Sequence, residues 1–148
     1  MTANVLFADD DCADFLAPLH RRLRKVGFNV TTAVTYRDAL NVLSTAQRAV
    51  SSKIHSLLLD IILPYDIDGR GAVISDLGVK LADEAASKGV QTIAFLTVVR
   101  LDEFADKFSE LVNNYPQVRI GYFDKTELLS RQELKNLIDF LKPQEVGS

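Results

Sequence analysis

The chain has 148 residues with 17 basic and 20 acidic side chains, a net charge of −3, and 47% apolar and 25% charged residues. That length suits one domain, residues 1–148, with a buried core, and the composition is that of an ordinary globular protein. The acidic balance offers nucleic-acid phosphates no partner, no apolar run approaches the roughly 20 residues of a membrane span, and a single cysteine, Cys12, excludes an internal disulfide and fits a reducing compartment.

Met1-Thr2-Ala3-Asn4 has neither the charged nor the apolar region of a signal peptide and runs straight into a strand, Val5-Leu6-Phe7-Ala8, so the expected location is the cytoplasm. Phe15, Leu16, Leu19, Leu23 and Val26 recur at helical spacing and Gly27 supplies a stop. Pro18 within that stretch is either a kink or the first residue of a shortened helix. The basic cluster His20-Arg21-Arg22-Leu23-Arg24-Lys25 suits the negative end of the helix dipole. Phe28 to Val34, β-branched and alternating, predicts the second strand, and Thr35 an N-cap for a helix carrying Ala39, Leu40, Val42, Leu43 and Ala46.

Ile54 to Leu59 forms the third strand, followed by an irregular stretch, Ile61 to Leu77, with Pro64, Gly69 and Gly71. A helix with Val79, Leu81, Ala82, Ala85 and Ala86 then ends near Gly89. Thr92 to Leu96 is the fourth strand, and a helix with Phe104, Phe108, Leu111 and Val112 stops before Pro116. Val118 to Asp124 is the fifth strand, and a last helix carries Leu134, Leu137, Ile138 and Leu141. Five strands in strict alternation with five helices predict an α/β fold, a doubly wound parallel sheet of flavodoxin-like order 2-1-3-4-5.

The polar residues that end these strands carry the chemistry. In such a sheet Asp9-Asp10-Asp11, Asp60, Thr97 and Lys125 all fall at the C-terminal edge, where open α/β sheets bind ligands. A crowded acidic cluster needs a cation or solvent to neutralise it, and magnesium takes a few carboxylates with water and a phosphate oxygen. An acidic triplet by itself equally well caps a helix, with Asp11 near the N-terminus; Asp60 on the adjacent strand tips the balance toward a metal. Asp60, leaving a buried strand beside a metal ion, is a candidate carboxylate nucleophile. Lys125 would offset phosphoryl charge and Thr97 would donate a hydroxyl hydrogen bond to the same group.

The segments Val5-Leu6-Phe7-Ala8-Asp9-Asp10-Asp11, Leu57-Leu58-Leu59-Asp60-Ile61-Ile62-Leu63-Pro64, Phe95-Leu96-Thr97 and Tyr122-Phe123-Asp124-Lys125 together resemble the receiver domains of two-component response regulators over nearly the whole chain. The resemblance implies that Asp60 is the phosphoacceptor and that Asp9 and Asp10 hold Mg²⁺ together with Asp60 and the backbone carbonyl of Ile62. It also implies that Thr97 is the switch hydroxyl, Lys125 the phosphoryl-binding lysine and Tyr122 the aromatic that moves inward on activation. The donor would be a sensor histidine kinase or a histidine phosphotransfer protein, and the output altered binding of a downstream protein. Such a protein is no enzyme beyond its own phosphorylation and dephosphorylation.

Several positions depart from the family. Thr126 stands where receivers carry proline after the lysine, the small Gly-Ala pair before strand five is missing, and Pro18 is unusual in a first helix. The interval from Asp60 to Thr97 is long, which places extra residues in Tyr65 to Leu77 and makes Gly78 the counterpart of the family's loop glycine. Ile62 and Val99, two past the acceptor and two past the switch hydroxyl, are both apolar; they cannot orient an attacking water, which implies a long-lived phosphoryl-aspartate. No output domain follows Pro143, so the expectation is a stand-alone regulator, a phosphorelay intermediate or a piece of a larger protein. The competing expectation is a receiver-like interaction module that no longer uses phosphorylation.

Overall fold

The computed structural model describes residues 3–10, 16–65, 77–127 and 130–143. Strands β1 (Asn4–Ala8), β2 (Asn29–Ala33), β3 (Ser56–Leu59), β4 (Thr92–Thr97) and β5 (Arg119–Asp124) form one sheet in the order β2-β1-β3-β4-β5, every pair parallel. Between and after them run α1 (Ala17–Lys25), α2 (Tyr36–Ala46), α3 (Leu77–Ser87), α4 (Leu101–Asn114) and α5 (Arg131–Leu141). This is the flavodoxin-like arrangement that the alternation predicts. Among the described residues, no helix is long and apolar enough to cross a membrane.

The apolar runs are continuous because the central strands are covered on both faces. Every residue of β3 and β4 is buried, whereas the edge strands β2 and β5 are only partly so. Leu6, Ala8, Leu57, Leu59, Ile93 and Phe95 pack with the apolar sides of α2, α3 and α4. On the other face Val5, Phe7, Leu58, Ala94 and Leu96 pack with α1 and α5. Two half-cores therefore clamp the sheet and hold its C-terminal edge in place.

The helix ends follow local chemistry. Pro18 lies in the first turn of α1, the shortened helix of the two alternatives, where its missing N–H costs nothing. Gly27 (φ 107°) and Gly89 (φ 95°) end α1 and α3 in the left-handed conformation, and the amides of Phe28 and Val90 reach back to Leu23 and Ala85. Thr35 caps α2 by accepting from the Asp38 amide at 3.1 Å, a contact worth about 1 kcal/mol. At the far end, Ser56 Oγ and the Arg119 guanidinium donate to the last carbonyls of α5, Leu141 and Phe140, at 3.0 and 3.2 Å. Arg22, Arg24 and Lys25 occupy the last turn of α1, the place expected for the basic cluster.

Two of the apolar residues at helical spacing stay open to solvent. Val26 sits at the C-cap of α1 and is 43% exposed, because the helix stops one residue short of bringing it round to the sheet. Val112 is 40% exposed; it follows buried Leu111 and so points about 100° away from the buried face. Asp11, Cys12, Phe15 and most of the Tyr65 to Leu77 stretch lie outside the described residues.

Among the described glycines the tightest approach to neighbouring backbone is at Gly78, in the first turn of α3. Its amide donates to the Ile61 carbonyl at 2.8 Å, and a Cβ there would overlap the Asp60 carbonyl and stand 2.5 Å from Ile61 Cα. In an ordinary exposed helix Gly→Ala stabilises by up to ~1 kcal/mol. Here the obstacle is backbone that cannot rotate away, so Gly78→Ala is expected to destabilise by about 1–3 kcal/mol. Urea denaturation checks this: a midpoint equal to or above that of the wild type contradicts it.

Candidate functional site

Four of the five strands, β1, β3, β4 and β5, deliver a polar terminus to one edge of the sheet. The Asp9 amide donates to the Ala33 carbonyl at 3.0 Å and the Asp60 amide to the Ala8 carbonyl at 3.1 Å, so both residues are held in line just past β1 and β3. Thr97 closes β4 opposite Asp124 of β5, and Lys125 follows immediately. All four side chains are buried: Asp9 and Thr97 are fully covered, Asp60 is 6% exposed and Lys125 8%.

They converge on Asp60. Lys125 Nζ lies 2.8 Å from Asp60 Oδ2 and 2.8 Å from Asp9 Oδ2, bridging the two carboxylates. Thr97 Oγ1 donates to Asp60 Oδ1 at 2.6 Å, and the Ile62 amide donates to the same oxygen at 3.2 Å. Both oxygens of Asp60 are thus fixed by groups from three different segments. Burial pulls the Lys125 ammonium toward neutrality, but its hydrogen bonds to Asp60 and Asp9 and their charges outweigh that and hold its pKa above lysine's ordinary 10.5.

A line of bonds leads away from Thr97. The Val99 amide donates to Thr97 Oγ1 at 3.2 Å, and the Tyr122 hydroxyl donates to the Val99 carbonyl at 3.0 Å. The Tyr122 ring packs at 5.9 Å from Phe104, the one residue of α4 with non-helical backbone angles. Burial, then Asp124, Glu127, Asp102 and Glu103, push the Tyr122 phenol up, so it stays a donor.

Thr126, the departure from the resembled pattern, ties the chain beside Lys125 into a local turn. The Thr126 amide and hydroxyl both donate to Asp124 Oδ1, at 2.9 and 2.7 Å, starting the short 3₁₀ turn Lys125–Glu127. Those bonds hold the Asp124 carboxyl below its ordinary value. Proline has no N–H to supply one of them.

Of the residues singled out in the sequence, Asp9, Asp60, Thr97 and Lys125 come together in one contact group. Ile62 adds its amide, while its side chain is 41% exposed. Val99 is half-buried and joins through its backbone. Asp10 is exposed, and among the described residues no three His, Cys, Asp or Glu side chains are grouped as they would be to hold a metal ion. Sequence reasoning missed Phe104 as the ring under Tyr122, and missed the Val99 peptide that links Tyr122 to Thr97. Aromatic residues at helical spacing gave only a core signal for the first, and a backbone contact leaves no signal for the second.

No family model matches the chain, and no curated protein matches it by sequence. Solved structures do, over nearly its whole length. The chemotaxis response regulator CheY4 of Vibrio cholerae is 18% identical with a TM-score of 0.65, covering 96% of this chain and 100% of that one. The phosphorylated cyanobacterial phytochrome response regulator RcpA is 21% identical with a TM-score of 0.68, covering 95% and 94%. The receiver domain of the sensor histidine kinase PA1611 from Pseudomonas aeruginosa PAO1, which has a magnesium ion coordinated in its active-site cleft, is 19% identical with a TM-score of 0.62, covering 95% and 98%. The chain therefore shares the fold of response-regulator receiver domains.

The bridged carboxylate pair sets a stability prediction. Removing the ammonium from two buried carboxylates, as in Lys125→Met, is expected to cost about 3–5 kcal/mol near neutral pH. A lysine whose folded pKa is raised stabilises the fold at all pH values below its unfolded pKa and loses that effect as pH rises through the folded one. The gap between wild type and Lys125→Met is therefore expected to be full below 10.5 and to close above it. Urea midpoints of the two proteins across the alkaline range measure this, and a gap that persists unchanged to the most alkaline pH contradicts it.

Proposed function

We propose that the chain is a response-regulator receiver, one domain over residues 1–148, that accepts a phosphoryl group on Asp60 and changes its affinity for a protein partner. The observation that carries this reading is the grip on Asp60: a buried carboxylate at the sheet's C-terminal edge, bonded by Lys125 on one oxygen and by Thr97 on the other. The donor is a phosphohistidine of a sensor histidine kinase or phosphotransfer protein, and the setting is the cytoplasm. The chain's only catalysis is of its own phosphorylation and dephosphorylation.

In the step itself a carboxylate oxygen of Asp60 attacks phosphorus. The new O–P bond forms as the P–N bond to imidazole breaks, and the bonding pair stays on the imidazole nitrogen. Lys125 holds the nucleophile in place and faces the oxygens on which charge is distributed, so the chain contributes positioning and electrostatics. The donor set suits Mg²⁺. Asp9 and Asp60 set two buried carboxylates against one ammonium, leaving negative charge and hard oxygen atoms at the edge. Asp9, Asp10, Asp60 and the Ile62 carbonyl would hold it, and the bound ion would supply charge neutralisation to the phosphoryl oxygens.

Once Asp60 carries phosphate, the Thr97 hydroxyl gives up its bond to Oδ1 for a phosphoryl oxygen. Movement of Thr97 pulls on the Val99 amide, and through the Val99 carbonyl it loosens the Tyr122 hydroxyl, whose ring leans on Phe104 at the start of α4. A charge added at the edge is thereby converted into a change of the α4 and β5 surface that a partner reads.

Incubation with acetyl phosphate and Mg²⁺ is expected to add one phosphoryl group to the wild type and none to Asp60→Asn, read as intact mass. Failure with a panel of histidine-kinase donors as well would favour an interaction module that ignores phosphate. Titration of Mg²⁺ against the amide spectrum of unphosphorylated protein should shift Asp9 and Asp60, and less so in Asp9→Asn. With apolar Ile62 and Val99 beside the acceptor, the phosphoryl group is expected to outlast that of fast-resetting chemotaxis regulators; a half-life of seconds overturns that expectation.

A further inference from the structure

Segment 60–65 leaves β3 without regular structure, yet nearly every group in it is pinned. The Ile61 and Leu63 side chains are 2% exposed, and the Ile61 carbonyl accepts from Gly78. The last two residues are bound to a different element. The Pro64 carbonyl accepts from the Tyr36 amide at 2.7 Å, and the Tyr65 carbonyl from the Arg37 amide at 3.1 Å. These are first-turn amides of α2, which have no partner within their own helix. Thr35 satisfies the Asp38 amide, and the segment after Asp60 satisfies the two before it.

A side-chain contact locks the same junction. The Tyr65 ring stacks on the Tyr36 ring, centroids 5.9 Å apart and planes 25° from parallel, and Lys80 of α3 places its ammonium 5.8 Å from the Tyr36 centroid. Tyr36 is 5% exposed and belongs to the core, whereas Tyr65 is 44% exposed. A large aromatic left that open contributes little to the core; what its stack does is hold the end of the segment down on α2. Between this stack and Asp60 lies Ile62, whose amide holds Asp60 Oδ1.

We propose that Tyr65, stacked on Tyr36, is a positioning residue for the phosphoacceptor: a clasp that fixes segment 61–65 so that the Ile62 amide stays on Asp60. Its role in phosphoryl uptake rests on the reading of Asp60 given above. The ring contact of Tyr65 is with Tyr36, and its carbonyl is held by the Arg37 amide. It acts through the backbone, by suppressing the freedom of a loop that begins at the nucleophile. Misplacement of a reacting group by an ångström is enough to slow a reaction of this kind substantially.

The test compares Tyr65→Ala, which removes the stack, with Tyr65→Phe, which keeps it. In unphosphorylated protein, Tyr65→Ala should speed hydrogen exchange at the Ile62 amide by about tenfold, while Tyr65→Phe stays within about twofold of the wild type. Initial phosphoryl uptake from acetyl phosphate should follow the same order, with Tyr65→Ala slower by about tenfold. Amides of the central strands should exchange alike in all three proteins. The clasp is overturned if Ile62 exchange is unchanged in Tyr65→Ala, if Tyr65→Phe is as impaired as Tyr65→Ala, or if all core amides speed up together. A wild type that takes no phosphoryl group refutes the reading of Asp60, and the exchange comparison alone then decides whether Tyr65 positions Ile62.

Discussion

Two carboxylates buried side by side repel each other and lose the solvation that would screen them, so a structure that places Asp9 and Asp60 together needs a cation between them. Lys125 is that cation, within 2.8 Å of both. Much of the molecule can be understood as arranging this contact. Strands β1 and β3 must be neighbours to bring the acids together. Strand β5, two positions further across the sheet, must end at the right height for a lysine side chain to reach back. The Asp124–Thr126 turn holds the backbone on either side of that lysine.

The contact also makes the edge sensitive. A group bonded on both oxygens resists disorder, but any change at it must move several partners at once. Lys125, Thr97 and the Ile62 amide all depend on the state of one carboxylate. Through Thr97 that dependence extends along the Val99 peptide to Tyr122 and Phe104, with hydrogen bonds for the first links and ring packing for the last. The sheet beneath has no comparable freedom, because its central strands are closed in by apolar side chains on both faces.

Around this edge the backbone carries as much of the design as the side chains. Gly78 lets α3 lie directly on the peptide between Asp60 and Ile61. The start of α2 borrows the carbonyls of Pro64 and Tyr65. Both helices therefore brace the segment that leaves Asp60. Thr126 organises the turn after Asp124 with two bonds of its own, one from its amide and one from its hydroxyl.

The sequence by itself determined the order and type of the elements, since strands buried on both faces must be unbroken apolar runs and helices on a sheet must show their own period. It also placed Asp9, Asp60, Thr97 and Lys125 at one edge, because a polar residue ending such a run has only that place to go. Val26 and Val112 lie exposed, since hydrophobicity does not report where a helix stops or which of two adjacent apolar residues faces inward. Only the tertiary structure decided which atom meets which: that Lys125 bridges two acids, that Thr97 and Ile62 share one oxygen, that Asp10 faces outward, and that Tyr65 lies on Tyr36. Most of those contacts join residues far apart in the chain across a few ångströms, and the Ile62 bond uses a backbone amide that every residue but proline possesses, so no choice of side chain announces it.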